Sequence, residues 1–276
     1  MKNDSMQFIQ GRLYWDEILA ESSRGAPLVA WRSYMQRVYR RLLMDWLPAA
    51  ASGVGLKTDL FEEAVSSHYL VSDLGPGSVG VDCSPAIVQA ARRRLRAHNR
   101  QPLLVVGDLR QLPLKAGTIK HILAGSSLDH FPNKSDIAKG LLELERVLAP
   151  GGTLVVTFDN PHNPVVRLRN FLPFVWLNRL GLVPYYVGAT YTRTEAREQL
   201  KAAGFTVTDE TVVAHAPRAP AIWLVMLAER IGWRSLSSII ARFLDRFESL
   251  EHWPTRYQTG YYLALRAEKR GGADRP

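Results

Sequence analysis

Residues 78–97 read SVGVDCSPAIVQAARRRLRA. A short apolar run ends on Asp82, and Ser84-Pro85 then opens a helix. Serine is a favoured N-cap, and proline suits the first helical position because an N–H there has no partner inside the helix. Ile87, Ala90, Ala91 and Leu95 follow at helical spacing, with Arg92, Arg93, Arg94 and Arg96 mostly on the other side. Strand, polar turn, helix: this is the repeating unit of an α/β chain.

The same unit recurs outward in both directions. Upstream, Trp31 to Trp46 patterns as an amphipathic helix with Tyr34, Val38, Leu42 and Trp46 on one stripe, ended by Pro48. A first strand is expected at about Val54 to Thr58, and a helix from Asp59 to about Leu70; the LGPG that follows is a turn. Downstream, PLLVVGD (102–108) is a continuous apolar run, as in a parallel strand buried on both faces. IKHILAGSS (119–127) is a fourth strand. Ser135 is the expected cap of a helix carrying Ile137, Leu141, Leu144 and Leu148, which Pro150-Gly151-Gly152 should stop. TLVVTFD (153–159) is a fifth strand. A helix from Thr194 to Ala203, ended by Gly204, precedes two more strands, FTVTDETVVAH (205–215) and TGYYLALRAEK (259–269). Seven strands alternating with helices predict a doubly wound, mostly parallel sheet. Residues 1–50 are expected to form an N-terminal helical lid on a core of 51–276, with cap insertions at about 161–191 and 217–254.

Each of four strands ends on a polar group: Asp82, Asp108, the pair Asp129/His130, and Asp159-Asn160. Ligands of open α/β sheets bind at the carboxyl ends of the strands, so these residues outline one site. Taken singly, each has a plainer role as well. Asp82 suits a helix dipole, Asp108 a turn, and 159–164 (DNPHNP) an Asx-rich loop.

The 276 residues carry a formal charge of +9, which favours anionic partners. One cysteine, Cys83, rules out an internal disulfide. MKNDSMQFIQ has no basic leader followed by an apolar stretch, and FLPFVWL and APAIWLVMLA are far shorter than the ~18 to 20 residues a membrane-spanning helix needs. A cytoplasmic protein is expected. His68, His98, His215 and His252 show no metal-binding spacing and His121 reads as packing, so no metal is expected. The tail after Lys269 (RGGADRP) reads as disordered.

In order and spacing, GVDCSP, VVGDLRQLPL, AGSSLDHF and LVVTFDNP resemble the class I S-adenosylmethionine-dependent methyltransferases, over about Val54 to Phe158 and more loosely Thr194 to Phe205. The resemblance implies a Rossmann-like methyltransferase fold with helical insertions and S-adenosyl-L-methionine as cofactor. It implies that Asp82 meets the ribose hydroxyls and that Asp108 meets the adenine amino group, with the Leu109 N–H on a ring nitrogen. Cys83 and Ser126 complete that side of the implied set. The first loop departs from the family. Lys57 stands near the usual acid, and Thr58, Asp59 and Leu60 stand near the usual glycines. Either Thr58 and Asp59 bind the cofactor's amino-acid end with side chains, or side chains fill the slot and cofactor binding is lost.

The implied reaction is methyl transfer to a small, lipophilic or aromatic acceptor, with His130, Asp159 and His162 as candidate bases. His130 is equally open to a packing role. Aromatic residues of the insertions (Phe171, Phe174, Trp176, Tyr185, Tyr186, then Trp223, Trp233, Phe243, Phe247) either line an acceptor pocket or form a second apolar layer. Arg167, Arg169, Arg179, Arg218, Arg230 and Arg234 beside them would suit peripheral contact with an anionic membrane. Nucleic acid is not expected as a partner, because the basic residues are spread along helices, and no obligate protein partner is evident. The rival readings are a non-catalytic scaffold on a degenerate methyltransferase fold and an RNA methyltransferase.

Overall fold

The computed structural model describes residues 2–22, 27–47, 53–66, 69–75, 77–179, 183, 186–232 and 236–270, with the side chains of the first helix described from residue 11 onward. Pro48, His68, Pro76 of the LGPG turn, Tyr185, Trp233, Arg234 and residues 271–276 of the tail therefore lie outside the described residues. Among the described residues seven strands run β1 (Gly55–Lys57), β2 (Val79–Asp82), β3 (Leu103–Val106), β4 (Ile119–Gly125), β5 (Leu148–Asp159), β6 (Phe205–Val213) and β7 (Tyr262–Lys269). They form one sheet in the order β3-β2-β1-β4-β5-β7-β6. The pairs among β1 to β5 are parallel, while β7 runs antiparallel to both β5 and β6. The strand order reverses between β1 and β4, which is where such sheets open a binding crevice.

The helices are α1 (Lys2–Ser22), α2 (Val29–Trp46), α3 (Phe61–Val65), α4 (Pro85–Ala97), α5 (Lys134–Val147), α6 (Pro164–Phe171), α7 (Phe174–Arg179), α8 (Arg193–Ala202), α9 (Arg218–Arg230), α10 (Leu236–Asp245) and α11 (Arg256–Thr259). Side chains alternate across a strand, so each central strand feeds two cores. Leu154, Val156 and Phe158 of β5 pack with Ile137, Leu141 and Leu144 of α5 and with Leu200 of α8. Leu123 and Val155 face the other way, toward Tyr34, Val38 and Leu42 of α2 and toward α9 and α10. A third cluster joins Leu60 and Leu104 to Ile87, Ala91 and Leu95 of α4, with Trp15 and Leu19 of α1 against its edge.

Four local expectations change. The apolar run at 102–108 is the edge strand β3, with Leu103 and Val106 exposed, and is not buried on both faces. The helix expected from Asp59 to Leu70 is only α3, followed by a 3-10 turn at Leu70–Leu74. Ser66 leaves helical backbone at φ −128° and ψ 179°, with its N–H and hydroxyl both on the Glu62 carbonyl. The cap of α5 is Asn133, whose side chain accepts from the Asp136 N–H at 2.9 Å; the Ser135 hydroxyl instead donates to Asn133 Oδ1. Pro150-Gly151-Gly152 lies inside β5, after Leu148 has already paired with Ile119. Gly151 at φ +67° makes an irregularity there, before Thr153 resumes the ladder opposite His121.

Candidate functional site

A cavity of about 640 Å³ runs along the carboxyl ends of β1, β2, β3 and β4. Lys57, Thr58 and Asp59 line it from β1, Asp82 and Cys83 from β2, Asp108 and Leu109 from β3, and Ser126, Ser127 and His130 from β4. Asp82 and Asp108 thus face one common space. Aromatic rings complete the lining: Tyr14 and Trp15 from α1, Trp31 and Tyr39 from α2, Phe174 from α7, and Tyr186.

The β1 loop is built around a buried ammonium. Lys57 Nζ, on a side chain 3% exposed, donates to Asp59 Oδ2 at 2.9 Å, Glu63 Oε2 at 3.0 Å and the Asp59 carbonyl at 2.6 Å. All three of its protons are therefore placed. Burial alone would lower its pKa, but the charges of Asp59 and Glu63 outweigh that and hold it above the ordinary value. Burial raises the Glu63 carboxyl, against the pull of Lys57, and Glu63 Oε1 accepts from the Val71 N–H at 3.1 Å. One lysine thus ties the strand end, α3 and the following 3-10 turn together. Asp59 remains partly exposed to the cavity, and its Oδ1 carries no hydrogen bond among the described residues. Thr58 Oγ1 pairs with Ser127 Oγ at 2.6 Å, which joins the β1 and β4 loops.

Asp82 anchors its own loop and its neighbour's. Its two oxygens accept from the Leu60 and Ser84 N–H groups, each at 2.9 Å. Burial pushes its carboxyl up to about 7, against those two bonds. The Ser84 hydroxyl accepts from the Ile87 N–H, as a cap should, and donates to the Asp16 carboxylate of α1. Burial holds the Cys83 thiol protonated by raising its pKa. Asp108 is clasped by Arg110 through Nη2 at 2.7 Å, and Arg110 in turn lies 5.4 Å from the Phe131 ring centre and 3.5 Å from Asp136.

At β4, Ser126 sits at φ +49°, which L residues rarely adopt. Its N–H on Thr157 Oγ1 at 2.9 Å and its hydroxyl on Asp129 Oδ2 at 3.2 Å hold it there. His130 stands edge-on to Trp15, with Nδ1 3.3 Å from the Tyr186 carbonyl. Burial lowers its pKa, which favours the uncharged imidazole. Asp159 and His162 do not line the cavity. Asp159 is buried against Arg169 at 2.6 Å, and its N–H donates to Asp129 Oδ2; His162 is exposed beyond the strand end. The fully buried Asp129 is held well above its ordinary pKa by burial first and by Asp159 second.

Of the insertion aromatics, Phe174 and Tyr186 line the cavity. Phe171, Trp176, Trp223 and Phe243 are exposed, and Phe247 packs beside α2 and α10. The sequence pattern gave no sign of two features. One is the pairing of Lys57 with Glu63, and the other is Gly188, whose N–H donates to the Asp129 carbonyl at 2.7 Å. A Cβ at residue 188 would lie 2.0 Å from the Phe131 carbonyl oxygen. Gly188→Ala is therefore expected to push the 186–189 segment off the His130 loop and to cost about 2 kcal/mol, read as a fall of roughly 5 °C in Tm by calorimetry. An unchanged Tm would mean that this contact does not pin the segment.

A sequence profile of the family described as "Methyltransferase domain" matches residues 51–156. A demethylmenaquinone methyltransferase from Thermus thermophilus is 35% identical over 157 residues, which is 50% of this chain and 68% of that protein. An uncharacterized 37.1 kDa protein of transposon TN4556 from Streptomyces fradiae is 32% identical over 180 residues, 59% of this chain; the chain spans about half of that relative, 48% of its length. Among solved structures, the [4+2]-cyclase SpnF superposes with a TM-score of 0.58 at 18% identity, over 86% of this chain and 82% of that one. That likeness is one of fold. With the sheet order, the cavity and the relatives in agreement, the chain belongs to the class I S-adenosylmethionine-dependent methyltransferases.

Proposed function

We propose that this protein moves the methyl group of S-adenosylmethionine to a small lipophilic acceptor of quinone-like shape. One observation carries the reading: a single cavity is lined both by carboxylates from three strand ends and by aromatic rings. The residues fit the cofactor. Asp82 offers paired acceptors to ribose hydroxyls, Asp108 and the Leu109 N–H suit the adenine edge, and Asp59 Oδ1 suits an ammonium. Lys57, with every proton engaged, positions Asp59 and does not itself grip the ligand. Cys83, Thr58 and Ser126 complete the wall. When bound, the cofactor supplies an electrophilic methyl on its sulfonium.

The chain's own part is to orient the acceptor, exclude water and take a proton. Trp15, Tyr39, Phe174 and Tyr186 give the acceptor flat apolar faces. Neutral His130, the candidate base that lines the cavity, accepts the proton that an acceptor hydroxyl or ring carbon loses. The Thermus relative is named for methylation of demethylmenaquinone, which supports a lipophilic quinol acceptor. Such an acceptor resides in a membrane, so the reading includes a cytoplasmic protein that touches an anionic membrane surface.

Calorimetry with S-adenosylhomocysteine is expected to show a Kd on the order of micromolar. Absence of heat and of a thermal shift would make the chain a non-catalytic scaffold. His130→Gln is expected to keep that affinity while slowing methyl transfer to a demethylmenaquinol about 100-fold. An unchanged rate would remove His130 as the base.

A further inference from the structure

The α9 helix is inside out. Its buried positions are the small Ala221, Val225 and Ala228, while Trp223, Met226, Leu227 and Ile231 face outward. A helix that faces water puts polar residues there, and contiguous exposed apolar surface marks an interaction site. The neighbouring insertion repeats the pattern: Leu168, Phe171, Val175 and Trp176 of α6 and α7 are exposed, Phe171 at 85%. On α10, Ile239 and Phe243 do the same.

α6 and α9 meet at Tyr261, α7 packs beside α6, and α10, which does not line the cavity, packs beside α9. Arg169 of α6 donates to the Tyr261 hydroxyl at 3.0 Å, and Arg218 of α9 lies 5.1 Å from the same ring's centre. Phe174, which starts α7, and Arg218, which starts α9, both line the cavity. The apolar surface therefore borders the place where the acceptor would sit.

Charge identifies what covers it. Arg167, Arg179, Arg230 and Arg242 stand exposed among the apolar residues. No acid lies on α6 or α7. Glu229 of α9 is occupied by the N–H groups of Leu28 and Val29, and Asp245 of α10 by Arg37. A surface of aromatic and aliphatic side chains interleaved with arginine and without an unpaired acid is complementary to anionic headgroups over acyl chains.

We propose that α6, α7, α9 and α10 form a docking face for an anionic phospholipid bilayer, through which a lipophilic acceptor reaches the cavity. The delivery clause rests on the acceptor reading above; the docking itself does not.

The test is flotation of the full chain with phosphatidylcholine vesicles containing about one third phosphatidylglycerol, beside vesicles of phosphatidylcholine alone. Wild type is expected to float with the anionic vesicles and to be released by about 0.5 M salt. Trp176→Ser/Trp223→Ser and, separately, Arg167→Gln/Arg179→Gln/Arg230→Gln are each expected to lower the bound fraction on the order of tenfold, with S-adenosylhomocysteine affinity unchanged. Brominated acyl chains should quench wild-type tryptophan fluorescence more than that of the double variant. Should the tryptophan variant lose S-adenosylhomocysteine binding, the arginine variant, which removes no apolar packing, decides the matter. The proposal is overturned if wild type does not float, or if both variants float as wild type does. It is equally overturned if wild type is a solution dimer that Trp176→Ser/Trp223→Ser converts to monomer without any vesicle binding, since a second copy then covers the face. Failure of flotation with intact S-adenosylhomocysteine binding removes the docking face and leaves the methyltransferase reading standing.

Discussion

Lys57→Met is expected to cost about 3 to 5 kcal/mol of stability and to weaken S-adenosylhomocysteine binding on the order of 100-fold. The lysine is buried, and so is Glu63, so removing the ammonium strands a carboxylate without its counterion. In a chain of this size the loss corresponds to roughly 10 °C or more in Tm. Part of the cost is relieved because burial already favours protonated Glu63, which then needs no partner. The second half of the prediction follows from that relief. Lys57→Met/Glu63→Gln should regain much of the stability, because the uncompensated charge is gone, yet it should not regain affinity, because Asp59 has lost the bond that orients it. Thermal unfolding and calorimetry on the two single variants and the double variant form the cycle. Full recovery of affinity in the double variant would show that Lys57 acts on stability alone.

Asp82→Asn should lower S-adenosylhomocysteine affinity by about 100-fold and flatten its dependence on pH. The carboxyl is pushed up to about 7, chiefly by burial. Ribose hydroxyls are donors and bind the ionised form better, so wild-type affinity should climb from about pH 6 to about pH 8 and then level. The effect on stability has the opposite sign. Between the ordinary carboxylate range and about 7, the folded chain keeps a proton that the unfolded chain releases. Asp82 therefore lowers stability as pH rises through that window, with no further change above it. Asparagine removes both slopes, and its amide donor also faces one of the two backbone N–H groups that the carboxylate accepts. A wild-type affinity that is flat across the same range would mean that Asp82 does not meet the ligand.

The fold was legible because its punctuation is local. Ser84-Pro85, the apolar run at 103–106 and Gly204 each announce an element with residues a few positions apart, and the structure puts those elements where they were expected. Asp82 and Asp108 were legible for the same reason, whereas Asp129 and Asp159, read as part of the same site, are buried and do not line the cavity. What escaped depends on partners distant in the chain or on direction. Lys57 looks like a misplaced charge until α3 turns Glu63 back onto it, six residues later. Trp15 reaches the cavity only because α1 packs beside α3 and α4. The aromatic residues of the insertions were visible as a class, but which of them turn inward is set by Leu177 and Val166 being the buried positions of α7 and α6. Asn133 and Ser135 are equally good caps by type, and Asn133 takes the role because the extended backbone falls there, at φ −140° and ψ 157°.

The Ser84 hydroxyl starts one helix and holds another. Its O–H donates to the Asp16 carboxylate of α1 while its oxygen accepts from the Ile87 N–H of α4, and the Ser84 N–H donates to Asp82. The turn beside Asp82 and the first helix are thus fastened at one oxygen, so that Ser84→Ala would release both ends together.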